Sequence, residues 1–182
     1  MVSVLNLVWM WLQTRPRTVL AAVAALCVGL LSFGMYLQHV VGLEPCPMCI
    51  VQRYTLVLVA LVAVVGAVVG KHPTGRAVAA GLMLLLAGFG AVTAANQSWL
   101  QWYPPEFSSC GRDFYGMIET FPLQRVIPML FKGSGDCSAV DWTFLTLTIA
   151  NWSFLNFCLI ATVAIGLLAA WWQGRKTALP AA

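Results

Sequence analysis

The chain has 182 residues, 60% of them hydrophobic and 9% charged, with a formal net charge of +4 and a mean hydropathy of +0.84. A water-soluble domain carries roughly a quarter charged residues, so a soluble enzyme or carrier is excluded. The positive charge is not gathered into a basic stripe, which excludes a nucleic-acid binder.

In chain order, the opening segment MVSVLNLVWMWLQ is too short to span a bilayer, and its positive charges come after it rather than before. It therefore lacks the form of a signal peptide and is expected to lie as an interfacial helix on the cytoplasmic face, within a cytoplasmic stretch 1–17. Four continuous apolar runs follow, at 18–37, 49–70, 77–96 and 152–172, each of about 20 residues, the length of one helical crossing. They do not alternate, which argues against a barrel. Their Gly and Ala content suits close helix packing. The expected fold class is an all-α membrane protein, a four-transmembrane-helix bundle forming one domain, 1–182. Basic residues orient it. Arg15 and Arg17 precede the first span, Lys71 and Arg76 lie in loop 71–76, and Arg175 and Lys176 lie in 173–182. By the positive-inside rule these segments and both termini are cytoplasmic. Loops 38–48 and 97–151 then face the periplasm of a bacterial inner membrane, and all 6 acidic residues fall in them. The second, long loop contains TFPLQRVIPMLF, expected to form a short amphipathic helix on the outer membrane surface. Trp9, Trp11, Trp171 and Trp172 near one interface, and Trp99, Trp102, Trp142 and Trp152 near the other, match aromatic belts.

The 6 cysteines divide by position. Cys27 and Cys158 fall within spans and are expected to act as small hydrophobes. Cys46, Cys49, Cys110 and Cys137 all lie on the outer, oxidising side, two per loop, where disulfides persist. A link between Cys110 and Cys137 would stabilise the long loop by about 3.6 kcal/mol in the chain-entropy model, a credible staple. A link between Cys46 and Cys49 would contribute only about 1.9 kcal/mol, and a C-x-x-C pair outside a zinc site is more often a redox couple. A Cys₄ zinc site is the rival, but structural zinc usually takes two closely spaced pairs, and Cys110 and Cys137 are far apart; no metal is expected. His39 and His72 lie on opposite sides of the membrane and no C-x-x-C-H occurs, so haem is not expected either.

The stretch EPCPMCIVQR carries the chemistry. Pro47 suits the first turn of a helix, where its missing N–H costs nothing, so the second helix is expected to begin at Cys46 or Pro47. Cys49 then lies in the first turn, near the positive end of the helix dipole, which favours a thiolate. Arg53 follows on the same face, one turn below and about 6 Å inside the helix start. A snorkelling arginine is one reading. Beside a C-x-x-C, the other is a functional cation that binds an oxygen-bearing acceptor and stabilises charge developing as the thiolate attacks.

Together these features resemble the disulfide bond formation protein B (DsbB) family over nearly the whole chain. The match lies in QHVVGLEPCPMCIVQR, in WLQWYPPEFSSC before the third outer cysteine, and in GSGDC followed by DWTFL around the fourth. The resemblance implies a membrane oxidoreductase that reoxidises a DsbA-like periplasmic dithiol oxidase and passes the electrons to the membrane quinone pool, ubiquinone or menaquinone. It implies that Cys110 takes the partner's attack, that Cys137 is its mate and exchanges with Cys46, and that Cys49 faces the quinone with Arg53 placing the ring. Many members have a histidine where this chain has Gln97, so Gln97 is carried as a quinone contact that hydrogen-bonds but does not titrate. His39 is a looser alternative, expected to be an interfacial residue. The polar, turn-prone flanks PPEFSSC and GSGDC lead to the expectation of an exposed, exchangeable bridge rather than a buried staple. The alternative function is a four-span scaffold or adaptor held by structural disulfides. The chain is expected to act as a monomer, in contact with membrane lipid and without nucleic acid.

Overall fold

The computed structural model describes residues 2–69, 72–104 and 136–178. Cys110 and the amphipathic segment expected at 120–131 lie outside the described residues.

Five helices are described. A short α1 (Val2–Thr14) precedes α2 (Pro16–His39), α3 (Pro47–Val69), α4 (Pro73–Trp102) and α5 (Ile149–Ala178). The last four are long and apolar enough to cross a membrane. Three of them, α2 to α4, begin on a proline, where the fixed φ is already helical and the absent N–H would have had no partner. Helix α4 continues to Trp102, beyond the end of its apolar run, because a helix stops where its backbone is capped and not where lipid ends. The N–H of Tyr103 closes α4 on the Trp99 carbonyl at 2.9 Å.

The packing order follows the chain: α2 lies against α3, α3 against α4 and α4 against α5. Glycines set the approach of neighbouring helices. A Cβ at Gly66 of α3 would stand 2.7 Å from the Cβ of Ala79 on α4, and one at Gly90 of α4 would overlap the Phe157 ring of α5. The buried centre is built from Leu20, Cys27, Val59, Met83, Phe157 and Ile160, drawn from all four long helices. Helices α2 and α5 make no extended contact among the described residues. The bundle therefore has a seam between its first and last spanning helices.

Helix α1 closes one end of that seam. It packs on both α2 and α5, with Leu12 buried against Gly166, where an added Cβ would lie 2.8 Å from a Leu12 methyl. Gln13 Nε2 donates to Gln173 Oε1 at 3.4 Å. Arg15 lies over the Trp11 ring and Arg175 over that of Trp171, so the basic and aromatic residues of this end are paired. At the other end a small hairpin, β1 (Thr143–Phe144) and β2 (Leu147–Thr148), adds a two-stranded ladder to the otherwise helical fold. Leu145 and Thr146 join its strands with φ of 50° and 66°. Two left-handed residues make the turn whose twist matches a hairpin. Trp152 Nε1 ties it to α5 by donating to the Phe144 carbonyl at 3.0 Å.

Candidate active site

Helix α3 begins at Pro47, so Cys46 stands just before the helix and Cys49 in its first turn. The two sulfurs are 2.9 Å apart and both cysteines are free thiols. The backbone N–H of Cys49 donates to Cys46 Sγ at 3.3 Å, a direct use of an otherwise orphan helix N-terminal donor. The hydrogen bond to Cys49, burial and the charge Cys49 can carry hold the Cys46 thiol well above its ordinary range.

Gln97 of α4 reaches across to this pair. Its amide nitrogen donates to Cys46 Sγ at 3.3 Å and to Cys49 Sγ at 3.2 Å. Its oxygen accepts from Gln52 Nε2 at 2.7 Å. Both glutamines are buried, each 4% exposed. Gln52 lies one turn below Cys49 on α3, so one helix supplies both the thiol and the group that engages Gln97.

Arg53 is held from α2. Its Nη1 donates to Gln38 Oε1 at 2.6 Å and its Nη2 to the Gly34 carbonyl at 3.4 Å. A Cβ at Gly34 would stand 3.8 Å from Nη2, an ordinary contact, so the guanidinium packs directly on α2. Cys46, Cys49, Gln97 and Arg53 all line one cavity of about 620 Å³. Its walls include Leu30, Leu31 and Phe33 of α2 and Trp152 and Phe157 of α5, so it lies at the seam. The outer end of the seam is spanned by a run of rings: Phe33 to Trp142 at 5.9 Å, Trp142 to Phe144 at 6.1 Å and Phe144 to Trp152 at 6.1 Å.

Cys137 is disulfide-bonded; Cys110, its expected mate, lies outside the described residues. The expectation of an exposed bridge does not hold for Cys137, which is 1% exposed. Of GSGDC only Asp136 and Cys137 are among the described residues, and there Asp136 Oδ1 accepts from Ser138 N at 3.0 Å and from Ser138 Oγ at 2.9 Å. The polar residues there face outward and the sulfur inward. Gln101, one turn above Gln97 on α4, donates to the Ala139 carbonyl at 3.2 Å and accepts from Thr148 Oγ1 at 2.7 Å. One face of α4 thus engages both the C-x-x-C pair and the segment that carries Cys137.

Sequence reasoning found Cys46, Cys49, Arg53 and Gln97, and the structure brings all four to one cavity. It missed Gln38, Gln52 and Gln101. Their signal was available: each is a polar side chain near the outer end of an apolar run, where an unpaired amide is costly. His39 is exposed at the end of α2 and does not line the cavity. Cys27 is buried and Cys158 half-buried, both as free thiols within spans.

Comparison with known proteins agrees with this geometry. The family model described as "Disulfide bond formation protein DsbB" matches residues 16–167. The chain belongs to the DsbB family. Among DsbB relatives, the "Disulfide bond formation protein B" of Polaromonas naphthalenivorans is 68% identical over 158 residues, covering 87% of this chain and 94% of the relative. That of Acidovorax sp. is 57% identical over 169 residues, covering 93% and 97%. That of Azoarcus sp. is 52% identical over 157 residues, covering 86% and 95%. The matched region takes in α2, α3, α4 and α5 as far as Leu167, together with the C-x-x-C mouth of α3, so the DsbB resemblance extends over the whole site.

Proposed function

We propose that this DsbB-family protein is a thiol:quinone oxidoreductase of the bacterial inner membrane. It reoxidises a DsbA-like dithiol oxidase on the periplasmic side and relays the electrons through Cys110–Cys137 and Cys46–Cys49 to membrane quinone. The observation that carries this reading is that two free sulfurs 2.9 Å apart share a largely apolar, membrane-level cavity with a cation, Arg53.

The partner's thiolate attacks Cys110, forming a mixed disulfide and releasing Cys137 as the leaving thiolate. The burial of Cys137 suits this division, because the released sulfur stays inside the protein while its mate meets the partner. In the oxidised form of the C-x-x-C pair, the Cys137 thiolate attacks Cys46, forming a Cys46–Cys137 disulfide and releasing Cys49 as the thiolate. Cys49 receives two N–H-side supports, the mouth of α3 and the Gln97 amide, which stabilise negative charge on its sulfur.

The cavity supports this reading. Its volume lies in the range of small-molecule sites, its walls are mostly apolar, and Gln52, Arg53 and Gln97 line it beside Cys49. Arg53 would hold a carbonyl oxygen, Gln97 would flank the ring, and Leu30, Leu31 and Phe157 would take the apolar remainder. When bound, the quinone supplies a two-electron acceptor that is soluble in lipid. The seam between α2 and α5 gives such a molecule a route from the bilayer.

The test mixes purified protein with a reduced dithiol partner and a soluble quinone and follows thiol loss. Quinone-dependent oxidation that disappears in Cys49→Ser is the expected result. No oxidation, or full activity in Cys49→Ser, would leave the scaffold reading standing. That reading finds support in the buried Cys137 bridge but gives no role to two free thiols in contact.

A further inference from the structure

We infer that Gln52 is a positioning residue that sets the redox poise of the Cys46–Cys49 couple by fixing which end of the Gln97 amide faces the sulfurs. The inference rests on the reading of Cys46 and Cys49 as a redox couple.

An amide side chain has a donor end and an acceptor end of nearly the same shape. Facing two sulfurs, Gln97 could present either. The choice falls to whatever meets its other end. Here Gln52 Nε2 donates to Gln97 Oε1 at 2.7 Å, so the oxygen is committed and the two amide hydrogens point at Cys46 and Cys49, 3.3 Å and 3.2 Å away. Both glutamines are nearly fully buried, so the amide's partners are chiefly protein groups. A reversed amide would set its oxygen against electron-rich sulfur and leave two donors facing each other.

The orientation has a redox consequence. A thiol or thiolate accepts a hydrogen bond better than a disulfide sulfur does. Donors on both sulfurs therefore stabilise the reduced pair, and a couple whose reduced form is stabilised is the stronger oxidant. Reduction of the Cys46–Cys49 disulfide takes two electrons and two protons from an external dithiol or from two glutathione thiols, which become a disulfide in turn. Gln52 shifts that equilibrium without touching either sulfur.

The test is an anaerobic redox titration of the full chain in glutathione buffers. Differential alkylation and peptide mass analysis would read Cys46 and Cys49 separately from the other pair. Gln52→Met keeps length and apolar volume but lacks the donor. It is expected to lower the equilibrium constant for reduction about tenfold, a fall in potential of about 30 mV for a two-electron couple. Gln52→Leu, of different shape but equally without a donor, is expected to give the same shift. Because Gln52 acts through Gln97, Gln52→Met should add nothing in a Gln97→Met background. An unchanged potential in Gln52→Met, a shift confined to Gln52→Leu, or full additivity with Gln97→Met would each overturn the inference. Failure of the wild-type pair to form a disulfide in any buffer would instead overturn the underlying redox reading.

Discussion

The amide nitrogen of Gln97 bridges both sulfurs of the C-x-x-C pair. A hydrogen bond to a charged group contributes roughly 1.5–3 kcal/mol. Gln97→Leu is therefore expected to shift the equilibrium of the pair with glutathione toward the disulfide by about 10- to 100-fold, measured by redox titration. Gln97→His tests the chemistry of the replacement. Toward acid pH the ring becomes an imidazolium, a donor that favours the reduced sulfurs. The potential of the variant should bend upward there relative to wild type, since an amide has no proton to gain. Arg53 is a separate matter. With its fork on Gln38 and Gly34, Arg53→Met is expected to raise the apparent KM for quinone about tenfold and leave the KM for the dithiol partner unchanged. Equal rises in both would remove Arg53 from the acceptor site. At this scale the reactive residues were legible because cysteine spacing and a charge inside an apolar run are rare. Gln52 was not, because its role depends on meeting a side chain 45 positions away, which no local pattern records.

The helices were legible as apolar runs, and the proline at the start of α3 correctly marked the helix mouth that positions Cys49. Their close approaches were not. Gly90 and Gly88 sit two residues apart on α4 and read alike in sequence. Yet a Cβ at Gly90 would overlap the buried Phe157 ring, while one at Gly88 meets nothing within 4 Å. Gly90→Ala is expected to destabilise the bundle by about 1–3 kcal/mol through overpacking, and Phe157→Leu should recover part of the loss. Gly88→Ala should be neutral or slightly stabilising, given the helix cost of glycine. Thermal unfolding in one detergent would compare all three. Equal behaviour at the two glycines would contradict the packing of α4 on α5. The hairpin was also hidden, because a turn through Leu145 and Thr146 lacks the Asn or Gly that usually announces left-handed residues.

For the molecule as a whole, charge bias gave an orientation that can be measured directly. Val41→Cys, exposed beyond the end of α2, should react with a membrane-impermeant maleimide in intact spheroplasts. Thr74→Cys, exposed at the start of α4, should react only after lysis. The reverse pattern would place the C-x-x-C mouth on the cytoplasmic side. Which helices are neighbours was beyond hydropathy, since four apolar runs of similar length fit several arrangements. The seam between α2 and α5 emerged only from the packing. Its two ends are unlike. One is bound by α1, whose Leu12 is wedged against Gly166, and the other is spanned by aromatic rings in edge and face contact. Interlocked side chains resist separation, whereas rings can slide and part. The two helices are thus joined as the arms of a clip are joined, with Leu12 set into backbone at one end and, among the described residues, a chain of rings at the end where Cys49 lies.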